Sequence, residues 1–143
     1  MFSVLRCSVV TDTYSRFLQS SRNMGQSYRQ LIAWQKSMDF VMDVYKVTKA
    51  FPRDELYGLA TQLRRAAVAV PTNITDGQAR FSPNEFFYFL GRARGALVEV
   101  ETQLLIAQNL NYFTLEQGRR LLDRAAEVGK ILNGLIASIR PAA

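Results

Sequence analysis

Residues 82–107, SPNEFFYFLGRARGALVEVETQLLIA, contain the clearest helix signal in the chain. Ser82 is placed to cap a helix, Pro83 occupies its first position and Glu85 its third, which is the spacing of a capping box. Apolar residues then recur at intervals of four and three over three heptads: Phe86, Leu90, Ala93, Leu97, Val100, Leu104 and Ala107. This period predicts one long helix with a single buried stripe.

The residues before this segment predict two more helices. The first runs from about Arg29 to Lys49, and its main apolar stripe is Trp34, Met38, Val41, Tyr45 and Thr48. A second stripe lies beside it: Phe40, Val44 and Val47. The second helix begins near Asp54, which can cap it, and ends at Gly77. Its predicted inward face is Leu56, Leu59, Leu63, Ala66, Val70 and Ile74.

A fourth helix follows, with Thr114 as its cap, Gln117 completing a capping box and Pro141 ending it. Its inward residues continue the heptad: Leu121, Ala125, Val128, Leu132, Leu135 and Ile139. All linkers are short, so neighbouring helices must run antiparallel. The sequence therefore predicts an all-α, up-down-up-down antiparallel four-helix bundle over residues 24–143.

Residues 1–23 have no sustained helical period and are rich in Ser and Thr. Met24 opens the segment immediately before the first strong helix. We expect residues 1–23 to be either a disordered extension or a non-native one, from an over-extended reading frame, with the domain beginning at Met24.

Pro71 falls inside the second predicted helix. It cannot donate a hydrogen bond to the Ala67 carbonyl, which costs about 3 kcal/mol if nothing compensates. The simpler interpretation is a bend that wraps this helix around its neighbours, and the alternative is a break into a loop. Ala60, Ala67 and Pro71 form a strip of small residues that would permit another helix to approach closely.

Composition excludes several kinds of chemistry. The chain has no histidine, so Ser-His-Asp and Cys-His hydrolysis and most zinc sites are impossible. Its one cysteine, Cys7, cannot form an intramolecular disulfide, which is compatible with a reducing, cytoplasmic location. No apolar run approaches the roughly 18–20 residues that cross a bilayer. We expect no catalytic residue, no metal, no cofactor and no membrane partner.

The arginines are candidates for phosphate contact. The net charge of +6 is only mildly basic and does not by itself indicate nucleic acid. Arg92 and Arg94 lie on opposite edges of the third helix's stripe, at heptad spacing from glutamates, so these charges either pair within or between bundles or bind phosphate. The candidate set is Arg64, Arg65, Arg80, Arg92 and Arg94.

Apolar residues exceed what one bundle can bury. Four consecutive aromatic residues begin at Phe86, and they spread around the helix, so they cannot all face one core. The alternative to an interface is that one or two rings half-bury at the bundle edge. We predict a homo-oligomer with these interface candidates: Trp34, Phe40, Ala60, Ala67, Phe87, Tyr88 and Phe89.

Short motifs resemble a bacterial family of four-helix-bundle proteins first noticed as reading frames inside intervening sequences of 23S ribosomal RNA genes. The resemblance is strong over residues 29 to 113. The motifs are Trp34-Gln35-Lys36, Phe51-Pro52, Tyr57-Gly58-Leu59, Gln62 to Ala66, Val70-Pro71, Asn73-Ile74, Gly77, Glu85-Phe86, Phe89-Leu90, Gly95, Glu99 and Glu101-Thr102-Gln103. Asp76 and Ala96 depart from the family, which usually has Glu and Ser there.

The resemblance implies a left-handed up-down bundle whose second helix is kinked at Pro71, and assembly into ring-shaped homopentamers. A similar fold is the accessory protein of diversity-generating retroelements, where a basic pentamer binds nucleic acid and a reverse transcriptase. The expected function is therefore a non-enzymatic, pentameric protein associated with RNA or DNA. The alternative is a scaffold or adaptor that binds another protein, such as one encoded nearby, and no nucleic acid.

Overall fold

The computed structural model describes residues 27–140, which form five α-helices and no β-strand. The helices are α1 Ser27–Gln30, α2 Ile32–Thr48, α3 Leu59–Gln78, α4 Pro83–Asn109 and α5 Leu115–Ile139. A 3₁₀ turn, Arg53–Glu55, lies between α2 and α3. The all-α prediction is confirmed for this part of the chain, and the predicted extension of residues 1–23 lies outside it.

The four long helices pack around one core. Helix α3 contacts α2 and α4, and α5 contacts α4 and α2, so each long helix has two neighbours. Every residue of the stripe predicted for α4 is buried. The largest apolar side chains in the core are Phe40, Leu63, Ile74, Leu90, Leu104 and Leu132. These side chains come from all four long helices, which is the packing of a helical bundle.

The prediction for the inward face of α2 is partly wrong. The buried face consists of Ala33, Ser37, Phe40, Val41, Val44 and Thr48. From the predicted main stripe, Trp34 is half-buried, and Met38 and Tyr45 are exposed. The reason is that two small residues, Ala33 and Ser37, align with Phe40 and allow close packing. Ser37 Oγ donates a hydrogen bond to the Trp34 carbonyl at 2.8 Å, so its burial leaves no polar group unpaired.

Three of the predicted interface residues belong to the core of the subunit itself. Phe40 is 1% exposed, and Ala60 and Ala67 are also buried. The small side chains of Ala60 and Ala67 do permit close approach, but the helices that approach are those of the same chain. These three residues therefore present no surface to a second copy, and their assignment to an interface is wrong.

Helix α3 begins later than predicted. The chain passes through the 3₁₀ turn and enters the helix at Leu59, so Leu56, predicted to face inward, is exposed. The cap comes from Glu55, whose Oε2 accepts a hydrogen bond from the Leu59 backbone N–H at 2.8 Å. Gly77 does not end the helix, because the helix continues to Gln78.

Helix α3 is continuous across Pro71, so the alternative of a break into a loop is wrong. The side chains around it bond to the backbone of the preceding turn. Thr72 Oγ1 donates to the Val68 carbonyl at 2.8 Å, and Asn73 Nδ2 donates to the Ala69 carbonyl at 2.7 Å. Such bonds to the carbonyl four residues earlier often accompany bending of a helix.

The α2–α3 connection closes one end of the bundle. The Phe51 ring is buried against Tyr112 and Phe113, with ring centroids 5.2 and 6.1 Å apart. Burial, together with the nearby Glu55 carboxylate, raises the pKa of Tyr112 above its ordinary value. Tyr112 is therefore neutral at physiological pH. Contacts between the aromatic rings of Phe51, Tyr112 and Phe113 hold this end of the bundle together.

The N-terminal caps of α4 and α5 are confirmed. Ser82 Oγ accepts from the Glu85 backbone N–H at 3.4 Å, although only this half of the predicted box is formed. In α5 both halves are present, because Thr114 Oγ1 accepts from the Gln117 N–H at 3.1 Å and Gln117 Oε1 accepts from the Thr114 N–H at 3.0 Å.

Thr114→Ala should lower the free energy of unfolding by about 1 kcal/mol, because it leaves the Gln117 N–H without its side-chain acceptor. Chemical denaturation monitored by circular dichroism measures the change. The control is Ser138→Ala, an exposed hydroxyl on the same helix, which should change stability by less than about 0.5 kcal/mol. Equal losses in the two variants would contradict a special role for the cap.

Candidate functional site

Helices α3 and α4 approach each other closely at Gly77. A Cβ atom added there would lie 2.6 Å from the Phe89 Cβ and 3.0 Å from Phe86 Cδ2, so only glycine fits. The chain then turns into α4 through Phe81, whose φ of 52° lies in the left-handed region. This tight connection places Arg80, just after α3, directly beside the first turns of α4.

Two arginines flank a pair of aromatic rings at this junction. The Arg80 guanidinium carbon lies 5.0 Å from the centroid of the Phe89 ring. The Arg92 guanidinium carbon lies 5.8 Å from the Phe89 centroid and 6.0 Å from the Tyr88 centroid. The two rings pack edge to face with centroids 5.4 Å apart. These are cation–π distances, and we call Arg80, Tyr88, Phe89 and Arg92 the Arg–aromatic cluster.

The Arg–aromatic cluster carries uncompensated positive charge. Among residues 27–140, no carboxylate oxygen lies within 4.0 Å of either guanidinium group. Arg80 and Arg92 are exposed, and Tyr88 is 60% exposed. The cluster therefore presents two cations and an accessible aromatic ring on one surface, where phosphate oxygens and a flat ring system can both bind.

Arg64 and Arg65 form a separate basic site. Arg64 lies sixteen residues before Arg80, about 24 Å along the helix. Its Nε donates a hydrogen bond to Thr48 Oγ1 at 2.7 Å, and its guanidinium carbon lies 4.9 Å from the Tyr45 ring centroid. Arg64 is thus held by a hydroxyl and a ring. Arg65 is exposed, and both arginines line an open pocket of about 430 Å³ together with Tyr45, Thr61 and Val68.

The five candidate arginines therefore do not form one patch. Arg80 and Arg92 share the Arg–aromatic cluster, and Arg64 and Arg65 lie at the other end of α3. Arg94 is exposed on the opposite side of α4 from Arg92, because residues two positions apart in sequence are separated by about 200° around a helix. Within residues 27–140, neither guanidinium group of the Arg–aromatic cluster is hydrogen-bonded to a side chain, whereas Arg64 is held by Thr48. The Tyr88 ring is also more exposed, at 60%, than the Tyr45 ring, at 38%.

The remaining interface candidates lie at the surface to different extents. Trp34, Phe87 and Phe89 are half-buried, and Tyr88 is exposed. Trp34 belongs to an apolar groove between α2 and α3, about 300 Å³ in volume. The residues of this α2–α3 groove are Trp34, Met38, Val41, Val68, Pro71, Thr72, Thr75 and Asp76.

Tyr45 is the site residue that the sequence did not identify. Its contact with Arg64 joins two helices, and no spacing within the sequence reports it. The Tyr88–Arg92 contact is different, because residues four apart share one helix face and the pair can be recognised from sequence.

Residues 27–140 contain no group of three or more histidine, cysteine, aspartate or glutamate residues that could hold a metal ion. In the same part of the chain, no helix combines the length and apolar character that crossing a membrane requires.

Comparisons with known proteins identify relatives by sequence and by fold. The family model described as 23S rRNA-intervening sequence protein matches residues 29–134. A crystal structure of a protein of unknown function from the S23 ribosomal protein family, from Bacteroides thetaiotaomicron VPI-5482, is similar in fold with a TM-score of 0.69. The two sequences are 21% identical, and the similarity covers 74% of this chain and 96% of that one. No curated protein matches the sequence.

Proposed function

Because the chain belongs to the 23S rRNA-intervening sequence protein family, we propose that it is a non-enzymatic, cytoplasmic helical-bundle protein that forms a homo-oligomer, a pentamer, and binds RNA or DNA. The observation that carries the nucleic-acid part is the Arg–aromatic cluster. Its two guanidinium groups are free of carboxylates among residues 27–140, and the Tyr88 ring beside them is open to solvent.

The cluster suits a single strand better than a duplex. Proteins that bind single strands combine cations for the backbone with aromatic rings on which bases stack. Arg80 and Arg92 would each contact a phosphate, and a base would stack on Tyr88. Nothing in this arrangement reads base edges, so we expect little sequence preference.

We further propose that the bundle is antiparallel, up-down-up-down and left-handed, with α3 kinked at Pro71. Two ion pairs between α2 and α5 support the antiparallel order: Lys36 pairs with Glu127 at 3.1 Å, and Asp43 pairs with Arg124. Residue numbers rise along α2 as they fall along α5. The hydrogen bonds of Thr72 and Asn73 to the preceding turn support the kink.

Fluorescence anisotropy with a labelled single-stranded RNA tests the nucleic-acid proposal. The double variant Arg80→Gln/Arg92→Gln should bind at least about tenfold more weakly, since a hydrogen bond to a charged group contributes about 1.5–3 kcal/mol. Losing two phosphate contacts should also reduce the slope of log K against log salt by about 1.4. Tyr88→Ala should cost about 1–3 kcal/mol through lost stacking.

The matched control is Arg119→Gln/Arg120→Gln. It removes the same net charge from an exposed part of α5 where Arg120 pairs with Glu116 at 4.0 Å. This control should bind within about threefold of the wild type, because only the general field of the protein changes. If both double variants weaken binding equally, the cluster is not the site. If the wild type fails to bind RNA or DNA at low salt, the nucleic-acid proposal is wrong.

A protein scaffold or adaptor that binds no nucleic acid is the second candidate. The exposed apolar side chains of the α2–α3 groove favour it, because such surfaces commonly bind other proteins. A pull-down with the products of neighbouring genes, made alongside the RNA titration, separates the two. The scaffold function requires capture of a neighbouring gene product together with no RNA or DNA binding.

A further inference from the structure

The outer face of α4 carries a row of apolar and small residues that no helix of residues 27–140 covers. Gly91, Gly95, Val98, Thr102 and Leu105 recur at intervals of four and three, and all are exposed. Val98 is 53% and Leu105 50% exposed. At 100° per residue the row lies about 150° from the buried stripe, on nearly the opposite side of the helix. We call these five residues the α4 ridge.

Packing within the subunit does not require the two glycines of the α4 ridge. In the part of the chain that the structure describes, a Cβ added to Gly91 or Gly95 would meet nothing within 4 Å. Each glycine inside a helix costs about 1 kcal/mol relative to alanine. Gly77 differs from both, because a neighbouring helix of the same chain fills its space. The α4 ridge therefore has the low profile and the flanking apolar side chains that suit close contact with another helical surface.

The α2–α3 groove is the complementary concave surface. Its cavity of about 300 Å³ and the pocket beside Tyr45 and Arg64 are neighbours, because Val68 lines both. Met38 is exposed along this groove, and methionine adapts readily to the shape of a partner. The two cavities together lie along α3 from Thr61 to Asp76, and the α2–α3 groove is the more apolar of the two.

The charges along the two surfaces are complementary. Arg65 and Asp76 lie on the outer side of α3, and Arg94 and Glu101 lie on one flank of the α4 ridge. None of the four has an ion-pair partner among residues 27–140. If α4 of a second copy ran antiparallel to α3, Arg94 would face Asp76, and Glu101 would face Arg65. Arg65 and Asp76 are about 16.5 Å apart along the axis of α3, and Arg94 and Glu101 are about 10.5 Å apart along the axis of α4. The difference of about 6 Å is one that long side chains span.

We propose that the α4 ridge of one copy docks in the α2–α3 groove of a second copy. This contact rests on the proposed homo-oligomer and says which surfaces form it. Ridge and groove are different parts of the molecule, so the contact is head-to-tail, and successive copies close into a ring when the rotation permits. Arg92 lies on the other flank of α4 from Arg94, so this contact leaves the Arg92 guanidinium group open to nucleic acid.

The test uses one variant for each surface of the full-length chain. Val98→Glu places a charge on the ridge, and Val68→Glu places one in the groove. Both side chains are exposed, so the fold should survive, and circular dichroism and thermal unfolding check that it does. Native mass spectrometry should give an oligomer for the wild type and a monomer for each variant alone, because each lacks one surface of the contact.

An equimolar mixture of the two variants should form a 1:1 heterodimer and nothing larger. The Val68→Glu chain keeps an intact ridge and the Val98→Glu chain keeps an intact groove, so only one contact can form. A symmetric contact through α4 alone predicts instead that Val68→Glu assembles like the wild type, and this result would overturn the proposal. If another segment or another protein fills the groove, Val98→Glu should leave the native mass unchanged. That result would also overturn the proposal.

The outcomes separate this inference from the proposed function. A wild type that stays monomeric at all concentrations removes the homo-oligomer and this contact with it. If the wild type is an oligomer and both variants have the same native mass as the wild type, only the contact between ridge and groove is ruled out. Arg94→Glu and Asp76→Arg test the orientation: each alone should weaken assembly, and the double variant should restore it. Failure of that rescue rules out the antiparallel arrangement.

Discussion

Replacing Phe40 with alanine should lower the free energy of unfolding by about 3–5 kcal/mol. The Phe40 side chain is 1% exposed and belongs to the main core cluster with residues of α3, α4 and α5. Truncation removes its buried area and leaves a cavity that the rigid neighbouring helices fill poorly. Urea denaturation at a fixed protein concentration, followed by circular dichroism, measures the loss.

The control for Phe40 is Met42→Ala, on the same helix. Met42 is 57% exposed, so its truncation should change stability by less than about 0.5 kcal/mol. The sequence placed Phe40 at an interface between subunits. A Phe40→Ala protein that is as stable as the wild type would contradict the core position of this side chain.

Gly77→Ala should lower the free energy of unfolding by about 1–3 kcal/mol, although alanine favours helices. The added Cβ would lie 2.6 Å from the Phe89 Cβ, an atom fixed to the backbone of α4, so the two helices must separate. Phe89 also carries the Arg80 contact, and its displacement should weaken RNA binding. Denaturation and anisotropy measurements on one protein preparation report both effects.

Gly134→Ala is the matched control, since it makes the same substitution in α5. A Cβ there meets no atom of residues 27–140 within 4 Å, so the change should raise stability by about 0.5–1 kcal/mol. The two identical substitutions are expected to act in opposite directions. A stabilised Gly77→Ala protein would mean that α3 and α4 pack less closely at this point than their backbones indicate.

Helix α4 could be predicted almost completely, because its cap and its heptad agree. Helix α2 shows what hydropathy does not report. Ala33 and Ser37 occupy buried positions because they are small, whereas Met38 and Tyr45 are large and apolar but lie outside. The fit between side chains of different sizes on neighbouring helices determines which face of α2 is buried. This fit cannot be read from a single sequence.

The start of α3 was missed for a local reason. The sequence predicts Asp54 as the cap, but Asp54 lies within a 3₁₀ turn. The helix begins at Leu59, and the carboxylate of Glu55, four residues before it, caps the Leu59 N–H. In the candidate site, the Tyr88–Arg92 contact follows from spacing. The approach of Arg80 to Phe89 depends on the left-handed Phe81 and on the fit of Gly77 against α4, so only the folded chain reveals it.

The Arg–aromatic cluster is encoded within thirteen consecutive residues, from Arg80 to Arg92. A hairpin of two adjacent helices is enough to build it, so each chain would carry a finished binding element before it meets another copy. Assembly would then multiply valency without altering the intrinsic affinity of each element. Dilution below the concentration at which the oligomer forms should replace one tightly binding oligomer with several weakly binding subunits. The dissociation constant of each single site for nucleic acid should stay the same.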